Sequence, residues 1–166
     1  MKYSLIALGV VALLLVVLIA AGYTLPVKHR ATVDATISAQ PDRVYALITN
    51  VASFPNWRTG VKSVEVLPSS DGKQRWREVS KNGTIPFVVE AEDPPNRLVG
   101  RIDSKSLPFG GTWTYELRSD SAGRTNLRIT EDGEIYNPIF RLISRFFIGY
   151  EGTIRQYLAD VERKLR

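Results

Sequence analysis

The last thirty residues constrain the fold most, because their apolar side chains recur at helical spacing from Asn137 to Arg166. Successive apolar positions are one, three or four residues apart, which places them on one side of an α-helix. These positions are Ile139, Ile143, Phe146, Phe147, Tyr150, Ile154, Tyr157, Leu158, Val161 and Leu165. Asn137 offers a capping oxygen, and Pro138 suits the first helical position. The pattern predicts one continuous amphipathic helix of roughly 40 Å whose apolar side needs a broad cover.

That cover is predicted upstream, where apolar and polar residues alternate. His29 to Ala39 reads as a half-buried strand, and two short helices follow, one opened by Pro41 and one over residues 50–57. Six more strands are predicted around residues 64–66, 76–78, 85–92, 97–103, 113–117 and 127–129. Their links are of hairpin length, and Asn82-Gly83 is a strong two-residue turn signal. The sequence therefore predicts an α+β domain in which an antiparallel sheet of about seven strands covers the C-terminal helix.

The N-terminal segment has a different character. No charged residue occurs from Leu5 to Tyr23, and a helix of this length reaches about 28 Å, close to the hydrocarbon thickness of a bilayer. We expect residues 1–28 to form a transmembrane anchor with a short linker, and residues 29–166 to form the folded domain. The alternative is a cleaved secretory signal ending near Ala20 and Gly22, which would leave a secreted or periplasmic protein. Positive charges lie on both sides, at Lys2 and at Lys28, so the orientation of a single-pass protein stays open.

Composition removes several classes of function. The chain has no cysteine, which excludes disulfides, thiol nucleophiles and thiolate metal sites. Its single histidine, His29, lies beside the membrane-proximal segment, which argues against imidazole catalysis within the core. The net charge of +5 is scattered along the chain, so no nucleic-acid partner is expected. No catalytic, metal or cofactor motif is present, and no cofactor is expected.

Alternation also predicts which side chains face the helix. Aromatic rings on that face would suit a pocket for an amphipathic ligand, although they would equally serve as ordinary core packing. Glu78 and Glu131 share the parity of their apolar neighbours, so an inward carboxylate would need a partner; a register break near Gly133 would instead turn Glu131 outward. Arg58 and Arg101 are candidate partners for a headgroup or carboxylate. The candidate ligand-binding residues are Trp76, Glu78, Arg101, Trp113, Tyr115, Glu131, Phe146, Phe147 and Tyr150.

Two glycines interrupt the C-terminal stripe. Gly149 and Gly152 each cost up to about 1 kcal/mol relative to alanine within a helix. They are interpreted either as a bend at the mouth of a pocket or as positions of close packing against the sheet.

Several runs of sequence resemble a known superfamily. They are SAQPDRVYALITNVASFPNW at 38–57, EDPPNRLVGRI at 92–102, GGTWTYEL at 110–117 and TNLRITEDGEIYNP at 125–138. Together they resemble the polyketide cyclase/dehydrase-like and START-related lipid-transfer superfamily, also known as SRPBCC, over almost all of residues 30–166. The resemblance implies the helix-grip fold, in which a curved antiparallel sheet wraps a long C-terminal helix around a cavity for a hydrophobic ligand.

The function expected from these observations is binding of a hydrophobic or lipid-like small molecule by a membrane-tethered domain, without catalysis. One alternative is a cyclase or dehydratase that uses an inward carboxylate with a tyrosine. Another is a protein-interaction module with a filled core. The sequence leaves the ligand and the oligomeric state undetermined.

Overall fold

The computed structural model describes residues 2–81 and 83–166. An N-terminal helix, α1 (Lys2–Thr24), precedes strand β1 (Lys28–Ile37), helix α2 (Pro41–Thr49) and a 3₁₀ turn (Val51–Asn56). The strands that follow are β2 (Val61–Ser70), β3 (Lys73–Ser80), β4 (Gly83–Asp93), β5 (Arg97–Ile102), β6 (Phe109–Ser119) and β7 (Thr125–Ile135). The chain ends in α3 (Pro138–Ile143), a π-helical turn (Ser144–Ile148) and α4 (Gly152–Leu165).

The seven strands form one sheet in the order β1-β7-β6-β5-β4-β3-β2. Every neighbouring pair is antiparallel, and β2 to β7 follow one another as a meander while β1 closes the far edge against β7. Ser80 pairs with Gly83 where the β3–β4 hairpin turns, although Asn82 of the predicted turn lies outside the described residues. The predicted α+β fold with an antiparallel sheet and a C-terminal helix is confirmed.

The core lies between one face of the sheet, called here the inner face, and α2 with α4. Leu127 and Ile129 of β7 are completely buried, as are Ile154 and Val161 of α4. Strand periodicity of two and helical spacing of three and four bring these side chains together. The C-terminal half of the predicted apolar stripe therefore packs as expected.

The first half of that stripe does not, and the prediction of one continuous helix is wrong. The amide of Gly149 bonds to the carbonyl of Ser144, five residues back, so the chain forms a π-helical turn there. Gly149 then adopts φ +75° and ψ 172°, a conformation that ends the helix and that favours glycine. As a result, Phe146 and Phe147 are 66% and 84% exposed instead of facing the sheet.

Helix α1 is apolar and uncovered along most of its length. Large apolar side chains from Ile6 to Leu18 are more than half exposed, whereas Gly22 is buried against Pro138 of α3. Among the described residues, no helix meets the length and apolarity needed to cross a membrane. The predicted transmembrane span is therefore not confirmed.

Candidate functional site

A group of polar and aromatic side chains on the inner face forms the candidate site, called here the inner-face cluster. It has two polar pairs, His29 with Glu131 and Arg58 with Glu78, separated by aromatic rings. The members of the cluster are His29, Arg58, Trp76, Glu78, Trp113, Tyr115, Glu131, Tyr150 and Tyr157.

Strand register places Glu131 of β7 between its neighbouring strands β6 and β1. It lies opposite Trp113 on β6 and opposite Ala31 on β1, and it shares the inner face with Leu127 and Ile129. The strand keeps its parity through Gly133, so the predicted alternative of a register break that turns Glu131 outward is not observed. Its side chain is 21% exposed.

The surroundings of Glu131 favour its protonated form. Burial raises the pKa of Glu131 to about 7, while a hydrogen bond from the Trp113 side chain lowers it. Its Oε1 lies 3.5 Å from Nε2 of His29. Burial also lowers the pKa of His29, against a smaller upward effect of the Asp132 charge. Burial thus favours the uncharged form of both groups and weakens any ion pair between them.

His29 reaches this position because the opposite residue is glycine. His29 pairs with Gly133 across β1 and β7, and a Cβ on Gly133 would overlap the imidazole ring. On its other side the imidazole stacks on Tyr150, with ring centroids 3.9 Å apart and planes 16° from parallel. The ring thus lies between the sheet backbone and the residue that follows the helix break.

The second polar pair is more deeply buried. Nη1 of Arg58 donates to Oε1 of Glu78 at 2.6 Å, and the indole Nε1 of Trp76 donates to the same oxygen at 3.0 Å. Glu78 is 7% exposed. The Arg58 guanidinium also lies over the rings of Phe54 and Tyr157, at 4.7 and 4.9 Å from their centroids. Each charge of this pair thus faces a partner of opposite sign, which is the arrangement that a buried charge requires.

Aromatic rings connect the two pairs. The ring of Tyr157 on α4 lies 5.8 Å from that of Trp113 and 5.6 Å from that of Tyr115. Burial raises the pKa of Tyr115 to about 12 and raises that of Tyr157 well above its usual value, and the two phenols are hydrogen-bonded to each other. Both tyrosines are therefore neutral hydrogen-bonding groups at physiological pH, not phenolate bases.

The structure distributes the predicted ligand-binding residues unevenly. Trp76, Glu78, Trp113, Tyr115 and Glu131 lie on the inner face, and Tyr150 joins them through His29. Whether any of them binds a ligand stays a prediction.

Three predicted residues lie elsewhere. Arg101 pairs with Thr112 on the outer face, and its guanidinium lies 3.4 Å from Asp103 and 3.7 Å from Glu90. Its strand parity is opposite to that of Leu98 and Gly100, which is why it cannot reach the core. Phe146 and Phe147 are exposed because the π-helical turn and Gly149 end the stripe before α4 begins. The inward placement predicted for Phe146 and Phe147 is therefore wrong, and Arg101, predicted as a partner for a headgroup or carboxylate, lies apart from the inner-face cluster.

Two members of the cluster were not predicted as site residues. Tyr157 was interpreted only as part of the apolar stripe. His29 was set aside for its closeness to the N-terminal segment, although it has the same strand parity as Ala31 and Val33. That parity was the signal that could have identified it.

The end of the cluster that carries Glu131 is the more exposed one, since the side chain of Glu131 is 21% exposed and that of Glu78 is 9% exposed. Residues 109–116 of β6 are all partly exposed, whereas Leu117 beyond them is buried. Two depressions of about 420 and 300 Å³ lie elsewhere, one on the outer face around Asp34 and Arg128 and one beside Trp57 and Arg163. Within residues 2–81 and 83–166, no group of three or more histidine, aspartate or glutamate side chains could hold a metal ion. The carboxyl, imidazole and phenol groups of the cluster can support hydrogen bonding and proton transfer beside an aromatic wall.

Comparison with known proteins agrees with this architecture. The family described as "Polyketide cyclase / dehydrase and lipid transport" matches residues 28–166. A solved structure from Thermus thermophilus is 20% identical, with a TM-score of 0.68 over 82% of this chain and 97% of that one. A START superfamily protein from Mycobacterium smegmatis is 11% identical, with a TM-score of 0.62 over 82% and 97% of the two chains.

An aromatase/cyclase from a Streptomyces species is 15% identical, with a TM-score of 0.62 over 84% of this chain and 96% of that one. A comparison with curated proteins finds no match. At these identities the solved structures establish the fold alone.

Proposed function

Because the chain belongs to the polyketide cyclase/dehydrase and lipid transport family, we propose that it binds a hydrophobic or lipid-like small molecule against the inner-face cluster, without converting it. The observation that carries this proposal is a partly exposed aromatic wall beside a carboxyl, Glu131, whose pKa is raised by burial to about 7. The fold alone does not support binding, since members of one fold differ in function.

Binding would proceed by burial of the ligand's apolar body. Contact with Trp113 and Tyr115 would remove apolar surface from water, worth about 25 cal/mol per Å². A protonated Glu131 can donate one hydrogen bond to a ligand oxygen and accept another, which would orient a polar head. The indole N–H of Trp113 already contacts Glu131 and would hold that carboxyl in place.

The first experiment asks whether the protein carries a ligand. Native mass spectrometry of the full chain, purified in mild detergent, would be followed by organic extraction of any bound species. We expect a non-covalent adduct that extraction releases. A protein with no adduct that also fails to bind a dansyl-labelled fatty acid would contradict the proposal.

Variants would locate the binding surface. Trp113→Ala is expected to weaken binding of the dansyl-labelled fatty acid about tenfold, which corresponds to the loss of one well-buried aromatic contact. Thr114→Ala is the matched control, because Thr114 lies next along β6 but pairs with Thr130 on the outer face. Equal affinities in the two variants would place the ligand elsewhere.

A second candidate function is acid-base catalysis of a dehydration or cyclisation. It is favoured by the pKa of Glu131, which lies near physiological pH as a general acid or base requires. In a dehydration, a base removes the proton α to a carbonyl while an acid protonates the departing hydroxyl, which leaves as water. Glu131 could supply that proton, and His29, with its lowered pKa, could accept one.

One substitution distinguishes catalysis from binding alone. Glu131→Gln keeps the shape of the side chain but removes its titration. Incubation with a β-hydroxy ketone, followed by mass detection of loss of water, would show conversion by the unaltered protein and none by the variant if the site is catalytic. No conversion by either protein would leave the binding proposal as the one supported, whereas equal conversion by both would show catalysis that does not depend on Glu131.

We also propose that α1 tethers the domain of residues 29–166 to a membrane. The support is its exposed apolar surface, with Leu8, Leu13 and Val16 each more than 60% exposed, which is unfavourable in water. Tyr3 and Tyr23, both mostly exposed, lie at its two ends, where interfacial aromatic residues are common. Flotation of the full chain with liposomes, resistant to alkaline carbonate, is the expected result. Release by carbonate, or an intact mass that lacks the first two dozen residues, would contradict it.

A further inference from the structure

We propose that α3 and the π-helical turn form a second membrane-contacting element, which lies in the surface plane of the bilayer that holds α1. This inference rests on the proposed tether and adds a site to it. The segment, residues 138–148, is called here the interfacial segment.

Its side chains expose a concentration of apolar surface. The exposed fractions rise along the segment from 43% for Ile139 to 66% for Phe146 and 84% for Phe147, with Ile148 at 63%. Phe140 and Ile143 are also exposed. Single exposed apolar residues are ordinary, but six within eleven positions form a contiguous patch of the kind that marks an interaction surface.

The interfacial segment is attached directly to α1. Gly22 lies against Pro138 so closely that a Cβ on this glycine would overlap the Pro138 carbonyl. Nη1 of Arg141, which is buried, donates to the carbonyl of Leu25 at 2.8 Å, just past the end of α1, where a cation is favoured. Its guanidinium also faces the ring of Tyr23 at 5.9 Å. The apolar surface of the segment therefore continues that of α1.

Lipid fits this combined surface better than a protein partner does. The exposed side chains of α1 point in all directions around its axis, and a second copy of the chain could cover only one side. The interfacial segment would measure about 16 Å as a straight helix, too short to cross a bilayer but suited to lie in its surface. Arg145 is exposed among the phenylalanines and isoleucines and makes no ion pair with the described residues, so its charge is available to a lipid phosphate.

The position of this segment also relates it to the candidate site. Tyr150, which stacks on His29, follows the segment after Gly149. The accessible end of the inner-face cluster would therefore face the lipid surface, and an apolar ligand could pass between the two with little exposure to water.

The absence of native cysteine allows a direct test. Single-cysteine variants of the full chain would carry a nitroxide at Phe147→Cys, at Leu14→Cys in α1, or at Lys73→Cys at the start of β3. Lys73 is the matched control, because it is exposed like Phe147 but lies far from β1, on β3 beside the edge strand β2 at the opposite edge of the sheet. Phe147 contributes no buried contact, so its replacement should leave the fold intact.

The measurement is collision of each nitroxide with oxygen, which concentrates in lipid, and with a water-soluble nickel chelate, in phosphatidylcholine/phosphatidylglycerol vesicles. We expect labels at positions 14 and 147 to collide mainly with oxygen and the label at position 73 mainly with nickel. A lipid signal at position 14 with a water signal at 147 would overturn this inference and leave the tether standing. Water signals at both would overturn both. A third outcome is a label at position 147 that collides with neither reagent and shows spin–spin broadening, with the broadening lost when unlabelled protein is added. This outcome would show that a second copy of the chain covers the surface, and it would also overturn the inference.

Discussion

Nε2 of His29 lies 3.5 Å from Oε1 of Glu131, although the two residues are more than a hundred positions apart in the chain. The contact is diagonal: His29 pairs with Gly133 and Glu131 with Ala31 across β1 and β7, so both side chains leave the same face of the sheet. Burial favours the uncharged form of each. The contact links β1, the edge strand that follows α1, to the acidic side chain beside the aromatic wall.

Glu131→Gln is expected to change how stability depends on pH. Since the folded-state pKa of Glu131 is raised from 4.5 to about 7, its contribution is fully present below about pH 4.5 and is lost as the pH rises through 7. The free energy of unfolding of the unaltered protein should therefore fall by roughly 3 kcal/mol relative to the variant across this window. Urea titrations at a series of pH values measure the difference. The lowered pKa of His29 acts in the opposite sense, since stability falls on acidification, but it is present in both proteins.

A difference that does not vary between pH 4.5 and 8 would show that Glu131 is solvated like a surface carboxylate. The matched control is Glu90→Gln, which alters an exposed carboxylate near Arg101 on the outer face.

Gly133→Ala is expected to destabilise the fold through His29. The new Cβ would overlap the imidazole, and overpacking of this kind costs about 1–3 kcal/mol. Gly100→Ala on β5 is the control, because a Cβ there meets no atom within 4 Å and should change the free energy of unfolding by less than about 0.5 kcal/mol. If the His29 ring is the obstacle, His29→Ala in the Gly133→Ala background should recover part of the loss. No recovery would assign the cost to the backbone.

Arg58→Met is expected to cost about 3–5 kcal/mol, because it leaves Glu78 buried without its cation. Replacing both partners, as Arg58→Met with Glu78→Leu, removes the buried charges together and should recover most of that loss. Chemical denaturation of the two single variants and the double variant gives the coupling free energy. Equal losses in the single and double variants would mean that Arg58 acts mainly through its packing on Phe54 and Tyr157.

The two glycines near the helix break should respond in opposite directions to alanine. Gly149 has φ +75°, where an L residue is strained by about 1–2 kcal/mol, so Gly149→Ala should lower the melting temperature. Gly152 begins α4 without positive φ, and a Cβ there meets no atom within 4 Å, so Gly152→Ala should raise stability by up to about 1 kcal/mol. Two stabilising substitutions would contradict the break at Gly149. Uptake of the dansyl-labelled fatty acid in both variants would test the predicted bend at a pocket mouth.

Alternation of side chains is sufficient to predict the sheet and the inward direction of Trp76 and Trp113, because strand parity is a local property. For Glu131 the sequence leaves two directions open, inward by parity or outward by a register break near Gly133, and only the observed register decides between them. The same alternation places Arg101 outward, because its strand parity is opposite to that of Leu98. Ile154, Tyr157, Leu158 and Val161 of α4 were correctly predicted to pack in the core, since helical spacing is equally local.

The break at residues 144–151 could not be predicted in this way. The spacing of apolar residues does not show where the backbone departs from α-helical geometry. A π-helical turn contains one more residue than an α-helical turn, yet the apolar spacing on either side of it stays helical. The sequence identifies Gly149 as a possible bend, but its positive φ depends on how the chain packs in the tertiary structure. The contact of His29 with Glu131 likewise depends on register between distant strands, and the pairing of Arg58 with Glu78 depends on the loop before β2.

Arg141 restricts the movement of α1 relative to the domain of residues 29–166. Only residues 25–27 separate α1 from β1, and the Arg141 guanidinium donates to the carbonyl of Leu25 in that connection and to the carbonyl of Tyr136 in the link between β7 and α3. A swivel of α1 against the sheet would break the bond to Leu25 and take one hydrogen-bond partner from a buried charge. The tilt of the sheet is therefore set by α1, and whatever turns that helix turns the whole domain with it.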